Sequence, residues 1–304
     1  MKGRKGRPGV VKAEILHNCD RILHGFSTRE NGVSVVYRAD DSHPGELNLG
    51  WTATDPAAAT RKNRSLFLSE VTGKPKTQLV TVRQVHSGVV RVIEREHGSL
   101  ITPDGKAVLR GDALMTDLPG LVLGVQTADC VPVLLADRRT GAVAAFHAGW
   151  RGTLKRIVER GVGPMRLRYG SRLEDLIAAV GPSIGACCFA VGEEVKFEFS
   201  SQFAYAPELF SEVYDSDPVR DKYPLLFLTA RAPGHSNIGP QIHLDLWEAN
   251  RRQLLDAGVP AANISVVGEC TACTRLKDGR RKYFSHRDEH GFTGRMLNVI
   301  GSRK

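Results

Sequence analysis

The chain is poor in several features that would direct a first reading. Aromatic residues make up only 7% of its 304 residues. No apolar run reaches the ~18 residues of a membrane span; the best, Leu121 to Ala136, is interrupted by Gln126 and Asp129. The basic N-terminus has no apolar stretch behind it, so no secretory signal is expected. Six cysteines are too few for a disulfide scaffold. A cytoplasmic protein is therefore expected, with thiols left for metal or catalysis. There is no Walker sequence and no G-x-G-x-x-G between a strand and a helix, which argues against nucleotide-triphosphate and dinucleotide chemistry. No internal repeat and no long Pro/Ser linker appears.

What is present in excess is positive charge, +9 overall. Residues 1–12 hold five Lys or Arg and no acid, and residues 275–304 hold nine Lys or Arg against three acids, so the stretch between is slightly acidic. Residues 1–12 read as a disordered basic tail and residues 13–304 as one domain. Without an RNA-binding aromatic motif, a helix-turn-helix pattern or zinc-finger spacing, nucleic-acid binding is expected to be limited to weak electrostatic contact of the tail.

The apolar runs are short and bounded by turn residues. Strands are expected at 79–85, 89–93, 121–125, 131–136, 142–147, 176–180, 264–267 and 296–300, with helices at 57–71, 153–162 and 245–257. Many strands with a few helices around them imply an α/β fold, a single-domain mixed sandwich. The stretch from about residue 200 to 241 reads as surface excursions.

Polar interruptions at strand ends mark where chemistry sits. Thr127-Ala128-Asp129-Cys130 lies between two strands, His147-Ala148-Gly149-Trp150-Arg151-Gly152 ends one, and Gln84-Val85-His86 ends another. His86, Cys130 and His147 offer two imidazoles and a thiolate. That donor set suits Zn2+ with one position left open, the arrangement of a catalytic site. A Cys–His nucleophilic pair would employ the same residues, and structural histidines with a buried cysteine remain the ordinary alternative. Cys187 and Cys188, as neighbours, are expected to point apart and not to share a metal. Cys270-x-x-Cys273 lacks a second such pair and reads as structural.

The ordered motifs resemble a bacterial family long labelled laccase-domain or multicopper polyphenol oxidase, whose members are identified as zinc-dependent purine nucleoside phosphorylases with adenosine deaminase activity. The likeness runs from Phe26 to Ile300. It is carried by Phe26-Ser27-Thr28-Arg29, Asn48-Leu49-Gly50, Asn63-Arg64, Gln84-Val85-His86, Thr127-Ala128-Asp129-Cys130, His147-Ala148-Gly149-Trp150-Arg151-Gly152, Gly181-Pro182-Ser183-Ile184-Gly185 and Thr293-Gly294-Arg295. The resemblance implies a fold similar to the catalytic domain of cytotoxic necrotizing factor toxins. It implies that His86, Cys130 and His147 ligate zinc beside a pocket for purine nucleosides and phosphate. On that footing Arg29, Asn48, Arg64 and Arg151 are candidate phosphate or ribose binders, since guanidinium matches phosphate in a fork. Asp129 and Asp112 are candidate proton shuttles or orienting partners of a histidine.

The sequence departs from the family pattern at two places. Asn31 stands where a glycine pair is usual, a position Asn can fill in the left-handed region, and His286-Arg287-Asp288 stands where an aromatic and two arginines are usual. Copper oxidation, as the family label suggests, would need His-x-His pairs, and the ten histidines contain none. A copper-dependent polyphenol oxidase is thus the less favoured alternative, alongside a metal-free Cys–His hydrolase or deamidase.

Overall fold

The apolar run at 131–137 is buried along its whole length, and its side chains divide between two cores. Val131, Val133 and Leu135 face one, and Leu134 and Ala136 the other. A strand alternates its side chains with a period of two, so a run that is apolar on both faces belongs in the middle of a layered structure.

The computed structural model describes residues 6–38, 40–74, 77–95, 100–102, 105–213 and 241–303. Strand β1 (Val10–Val11), helix α1 (Glu14–His17), β2 (Ile22–Ser27) and α2 (Ala57–Thr72) come first. They are followed by β3 (Gln78–Thr81), β4 (Val90–Val92), β5 (Ala113–Thr116), β6 (Leu121–Thr127), β7 (Val131–Asp137) and β8 (Val143–Ala148). Next are α3 (Trp150–Leu154), α4 (Ile157–Tyr169), β9 (Leu176–Val180), β10 (Ala190–Val191), α5 (Glu193–Gln202) and β11 (Phe210–Val213). The chain closes with β12 (Gln241–Leu244), α6 (Leu246–Asp256), β13 (Ile264–Val266) and β14 (Met296–Ser302).

A five-stranded sheet has the order β1-β2-β14-β6-β3, and a six-stranded sheet the order β13-β9-β7-β8-β5-β4. Between them lies a core with Phe26, Leu123, Val125 and Ile300 from the first and Leu114, Leu134, Ala145 and Ile177 from the second. The outer face of the six-stranded sheet packs on α4, α5 and α6 through Ile157, Phe199 and Leu254. The outer face of the five-stranded sheet packs on Phe67, Leu68 and Val71 of α2. The result is a four-layer α/β/β/α sandwich, with a small third sheet of order β10-β12-β11 beside it. The expected single-domain α/β sandwich is what the structure shows. Among the described residues no helix is long and apolar enough to cross a membrane.

Several expectations shift in detail. Order begins before residue 13: Val10 and Val11 pair with Ser27 and Phe26 at the edge of the first sheet, while residues 1–5 lie outside the described residues. The helix expected at 153–162 is two, α3 and α4. They are separated at Arg156, whose φ of 56° is left-handed and whose guanidinium stacks over Phe203 at 4.5 Å and binds Glu159 at 2.7 Å. No Gly or Pro announces that break; tertiary contacts make it. Within the stretch read as surface excursions lies β11, which pairs with β12 at the end of that stretch, and residues 214–240 lie outside the described residues. Asn31 has φ 61°, so the turn that usually takes glycine is kept.

Candidate metal centre

The site is assembled where three strand ends meet. Cys130 immediately precedes β7, and His147 lies in β8, paired across from Pro132 of β7. His86 follows β3 in a loop that is fastened sideways: the Gln84 side chain donates to Gln126 O and accepts from Gln126 N, both at 2.7 Å. The loop thereby gains two sheet-like bonds to β6.

His86 and Asp129 both have left-handed backbones, with φ of 56° and 90°. Such conformations cost of order 1–3 kcal/mol each in a non-glycine residue and persist where surroundings over-determine them. For His86 the surroundings are Asp112. Its fully buried carboxylate accepts the backbone N–H groups of Val85, His86 and Ser87 at 3.1, 3.0 and 2.6 Å and the Ser87 hydroxyl at 2.7 Å. The same carboxylate lies 2.9 Å from His147 Nδ1. Burial alone would raise the Asp112 pKa, but the hydrogen bonds from His147 and Ser87 prevail and hold it well below the usual carboxylate range.

The ligand atoms of His86, Cys130 and His147 all lie within 4.8 Å of one another. Burial acts to raise the Cys130 thiol, but the charge and hydrogen bonds of His147 and His86 outweigh it and bring it down to about 6. Burial likewise acts to lower His147, yet Cys130 and Asp112 carry it up to about 9. The group pairs a half-buried thiolate with an imidazolium, the same electrostatics that favour replacing the imidazolium proton with a cation. Asp112 takes Nδ1 of His147, which leaves Nε2 as the ligand atom turned toward Cys130. Gly149 keeps the space open: a Cβ there would stand 2.7 Å from Cys130 Sγ. Two imidazoles, one thiolate and an uncrowded fourth side fit a metal of borderline softness.

These three residues line one wall of a cleft of about 930 Å³. Tyr37, Trp51 and Phe292 supply apolar faces in it, and Arg83, Lys106 and Arg295 supply cations. The other sequence candidates fall elsewhere. The Asp129 carboxylate accepts Thr271 Oγ1 and the Arg287 N–H, each at 2.7 Å; it holds loops together and does not line the cleft. Arg29 is buried in ion pairs with Glu46 at 2.6 Å and Glu289 at 3.0 Å. Asn48 is fully buried and ties Gly50, Asp55 and the Arg295 N–H together. Arg151 is exposed and stacks over Trp150 at 4.3 Å.

Arg64 stands nearest to its expected role. It lies over Trp51 at 4.9 Å, donates from Nε to Leu49 O at 2.8 Å, and has a buried Nη2 with no partner among the described residues. His286, at the departure from the family pattern, lines the cleft. Trp51, Arg83 and Phe292 carry no signal in the sequence; only the fold brings them beside the three donors.

Cys187 and Cys188 do not point apart as expected, and the Cys270/Cys273 pair does not stand alone. Cys187, Cys188, Cys270 and Cys273 form a second group whose sulfur atoms lie within 4.8 Å of one another. A turn at 186–188 lets the two neighbours converge where a strand or helix would part them.

A family described as multi-copper polyphenol oxidoreductase laccase matches residues 23–303. A purine nucleoside phosphorylase from Bacteroides thetaiotaomicron is 31% identical over 95% of this chain and 92% of its own. Adenosine deaminase RL5, from an unknown prokaryotic organism, is 40% identical over 68% of this chain and 71% of its own. Among solved structures, the hypothetical protein YfiH of Bacillus licheniformis matches with a TM-score of 0.77 and 27% identity, covering 99% of this chain and 98% of that one.

Proposed function

The chain belongs to the multi-copper polyphenol oxidoreductase laccase family, and on that premise we propose that it is a zinc-dependent purine nucleoside phosphorylase. It cleaves adenosine, inosine, guanosine or methylthioadenosine with phosphate to the free base and a pentose 1-phosphate, and deaminates adenosine at the same site. The observation that carries this reading is the placement of His86, Cys130 and His147 on the wall of a cleft sized for a nucleoside. Relatives named for each of the two activities support it.

Zinc held by His86, Cys130 and His147 supplies Lewis acidity toward a phosphate or water oxygen. The chain's own groups do the rest. Tyr37, Trp51 and Phe292 offer faces for a purine ring and Arg83 and Arg295 offer charge for phosphate. The Nη2 of Arg64, beside Trp51 and without a partner among the described residues, is a further donor for an anion. Burial lowers the Arg64 pKa to about 10, which leaves it cationic at neutral pH. Asp112 fixes the His147 tautomer. Arg29 and Asn48 act through the scaffold and not on the ligand.

Three tests decide the reading. Adenosine incubated with the protein and phosphate should give adenine, and without phosphate inosine; no change to any of the four nucleosides defeats it. A chelator separates metal chemistry from a Cys130–His147 nucleophilic pair, which the same thiolate and imidazolium would also serve. Activity that survives chelation but not Cys130→Ala would establish the metal-free hydrolase; on metal analysis about one zinc per chain is expected at this site, and several coppers per chain would defeat the zinc reading.

A further inference from the structure

Away from the cleft, two loops are laid side by side by a parallel bridge between Ser183 and Cys270. One carries Cys187 and Cys188 in a tight turn in which the N–H groups of Cys188 and Phe189 both bond to Gly185 O at 3.0 Å. The other carries Cys270 and Cys273 at either end of a short turn, closed by Thr274 N donating to Cys270 O at 3.0 Å. All four sulfur atoms lie within 4.8 Å of one another. The edge between Cys187 and Cys273 measures 3.6 Å.

That spacing discriminates between roles. A disulfide requires sulfur atoms about 2.05 Å apart. Four thiolates around a tetrahedral ion with metal–sulfur bonds of about 2.3 Å stand about 3.8 Å from one another. The observed edge is too long for a disulfide and fits a ligand set. The backbone N–H of Gly185 points at Cys270 Sγ from 3.3 Å, a donor suited to a thiolate. Cys270 is buried, while Cys187 and Cys273 are exposed and give an ion a path in.

We propose that Cys187, Cys188, Cys270 and Cys273 form a second metal centre, a tetrahedral all-thiolate site for a thiophilic divalent cation, with zinc as its occupant. Four protein ligands close the coordination sphere, so the centre is structural. Thiol protons leave to solvent as the ion enters. None of the four cysteines lines the cleft, yet the ion reaches it mechanically. Thr271, between two ligands, donates to the Asp129 carboxylate at 2.7 Å, and Ile184, on the opposite loop, donates to Asp129 O at 2.9 Å. Both stapled loops thus grip Asp129, the residue before Cys130, and hold its left-handed backbone.

The test counts metal on the full chain, purified from zinc-replete medium under reducing conditions without chelator. In the variant His86→Ala/His147→Ala two of the three cleft donors are gone, so its zinc reports the four-cysteine site. About one zinc per chain is expected there; none overturns the proposal. Cobalt added to the zinc-free form of that variant should give strong thiolate-to-metal charge-transfer absorption, and a spectrum without it overturns the assignment. Adding Cys187→Ser/Cys273→Ser should remove the remaining ion, and retention of one equivalent counts against these ligands. The first count needs no cysteine substitution, so it decides the matter even where a cysteine variant fails to fold. No readout involves a nucleoside, so failure here is distinct from failure of the proposed activity.

Discussion

Asp112 Oδ1 and His147 Nδ1 lie 2.9 Å apart, and the same carboxylate gathers the N–H groups of three successive residues around His86. One buried side chain thus aims two of the three metal donors. Partners of this kind usually set metal affinity within a factor of about 10–100. Asp112→Asn puts an amide N–H against either the Ser87 donors or the His147 side, so it should weaken metal binding by about that factor. Competition with a chromophoric chelator measures it; an unchanged Kd would show that Asp112 serves only the fold.

This relationship marks the boundary of what is legible in the chain alone. The donors themselves are legible, because Cys and His interrupting apolar strands are chemically conspicuous. The layers are legible too: the run at 131–137 is apolar on both faces, as a strand between two cores must be. The strand β2 is not, since His24 and Gly25 disrupt its apolar pattern. Nor is the four-cysteine group, whose members meet through a turn and a bridge between loops 86 residues apart in the chain. Arg29 and Asn48, two of the phosphate candidates, are placed away from the cleft for another reason. Arg29 follows a strand and precedes a turn, as a binding residue would, but only the fold shows that Glu46 and Glu289 already occupy it.

Gly149 tests how tightly the sulfur position is set. Its backbone, at φ −66° and ψ 170°, suits any residue, so conformational freedom does not explain the glycine. Space does: the Cβ of Gly149→Ala would stand 2.7 Å from Cys130 Sγ and 3.5 Å from His86 Cδ2. The sulfur must move, and displacement near 1 Å at a reacting centre costs about 100-fold in rate. Phosphorolysis should therefore fall by about that much while the thermal midpoint changes by only a few degrees. Full activity would mean that Cys130 has room to relocate without loss.

His24 predicts a pH dependence of folding that is separate from catalysis. Its imidazole is buried, and Nε2 accepts the Ala13 N–H at 2.9 Å, so it folds neutral. Burial first, then the charges of Lys12 and His17, lower its pKa to about 3. Below an unfolded pKa of ~6.5 the unfolded chain takes up a proton that the folded one refuses. The stabilisation is complete above that value and is lost as pH falls toward the folded pKa. At pH 5 the loss from this residue should be about 2 kcal/mol relative to pH 8. Urea unfolding of the protein and of His24→Gln at both values isolates it: the gap between them should shrink by that amount in acid, and a pH-independent gap would refute it.

Arg29 separates a structural from a ligand-binding role most sharply. Its guanidinium pairs with Glu46 and Glu289, donates to Tyr37 O and Tyr283 O, and lies over Phe284 at 4.5 Å. Removing one partner of a buried ion cluster costs about 3–5 kcal/mol, because the remaining charges are left uncompensated. Arg29→Met should lose about that much stability at neutral pH. Burial already pushes Glu46 above its ordinary pKa despite Arg29, and losing the cation pushes it further. A carboxyl raised in the fold is stable while protonated and loses that stability as pH rises through its folded pKa. The defect should accordingly be smaller at pH 5 than at pH 8, and Glu46→Gln in the same chain should relieve part of it. Normal unfolding with a raised KM for phosphate would instead make Arg29 a ligand residue.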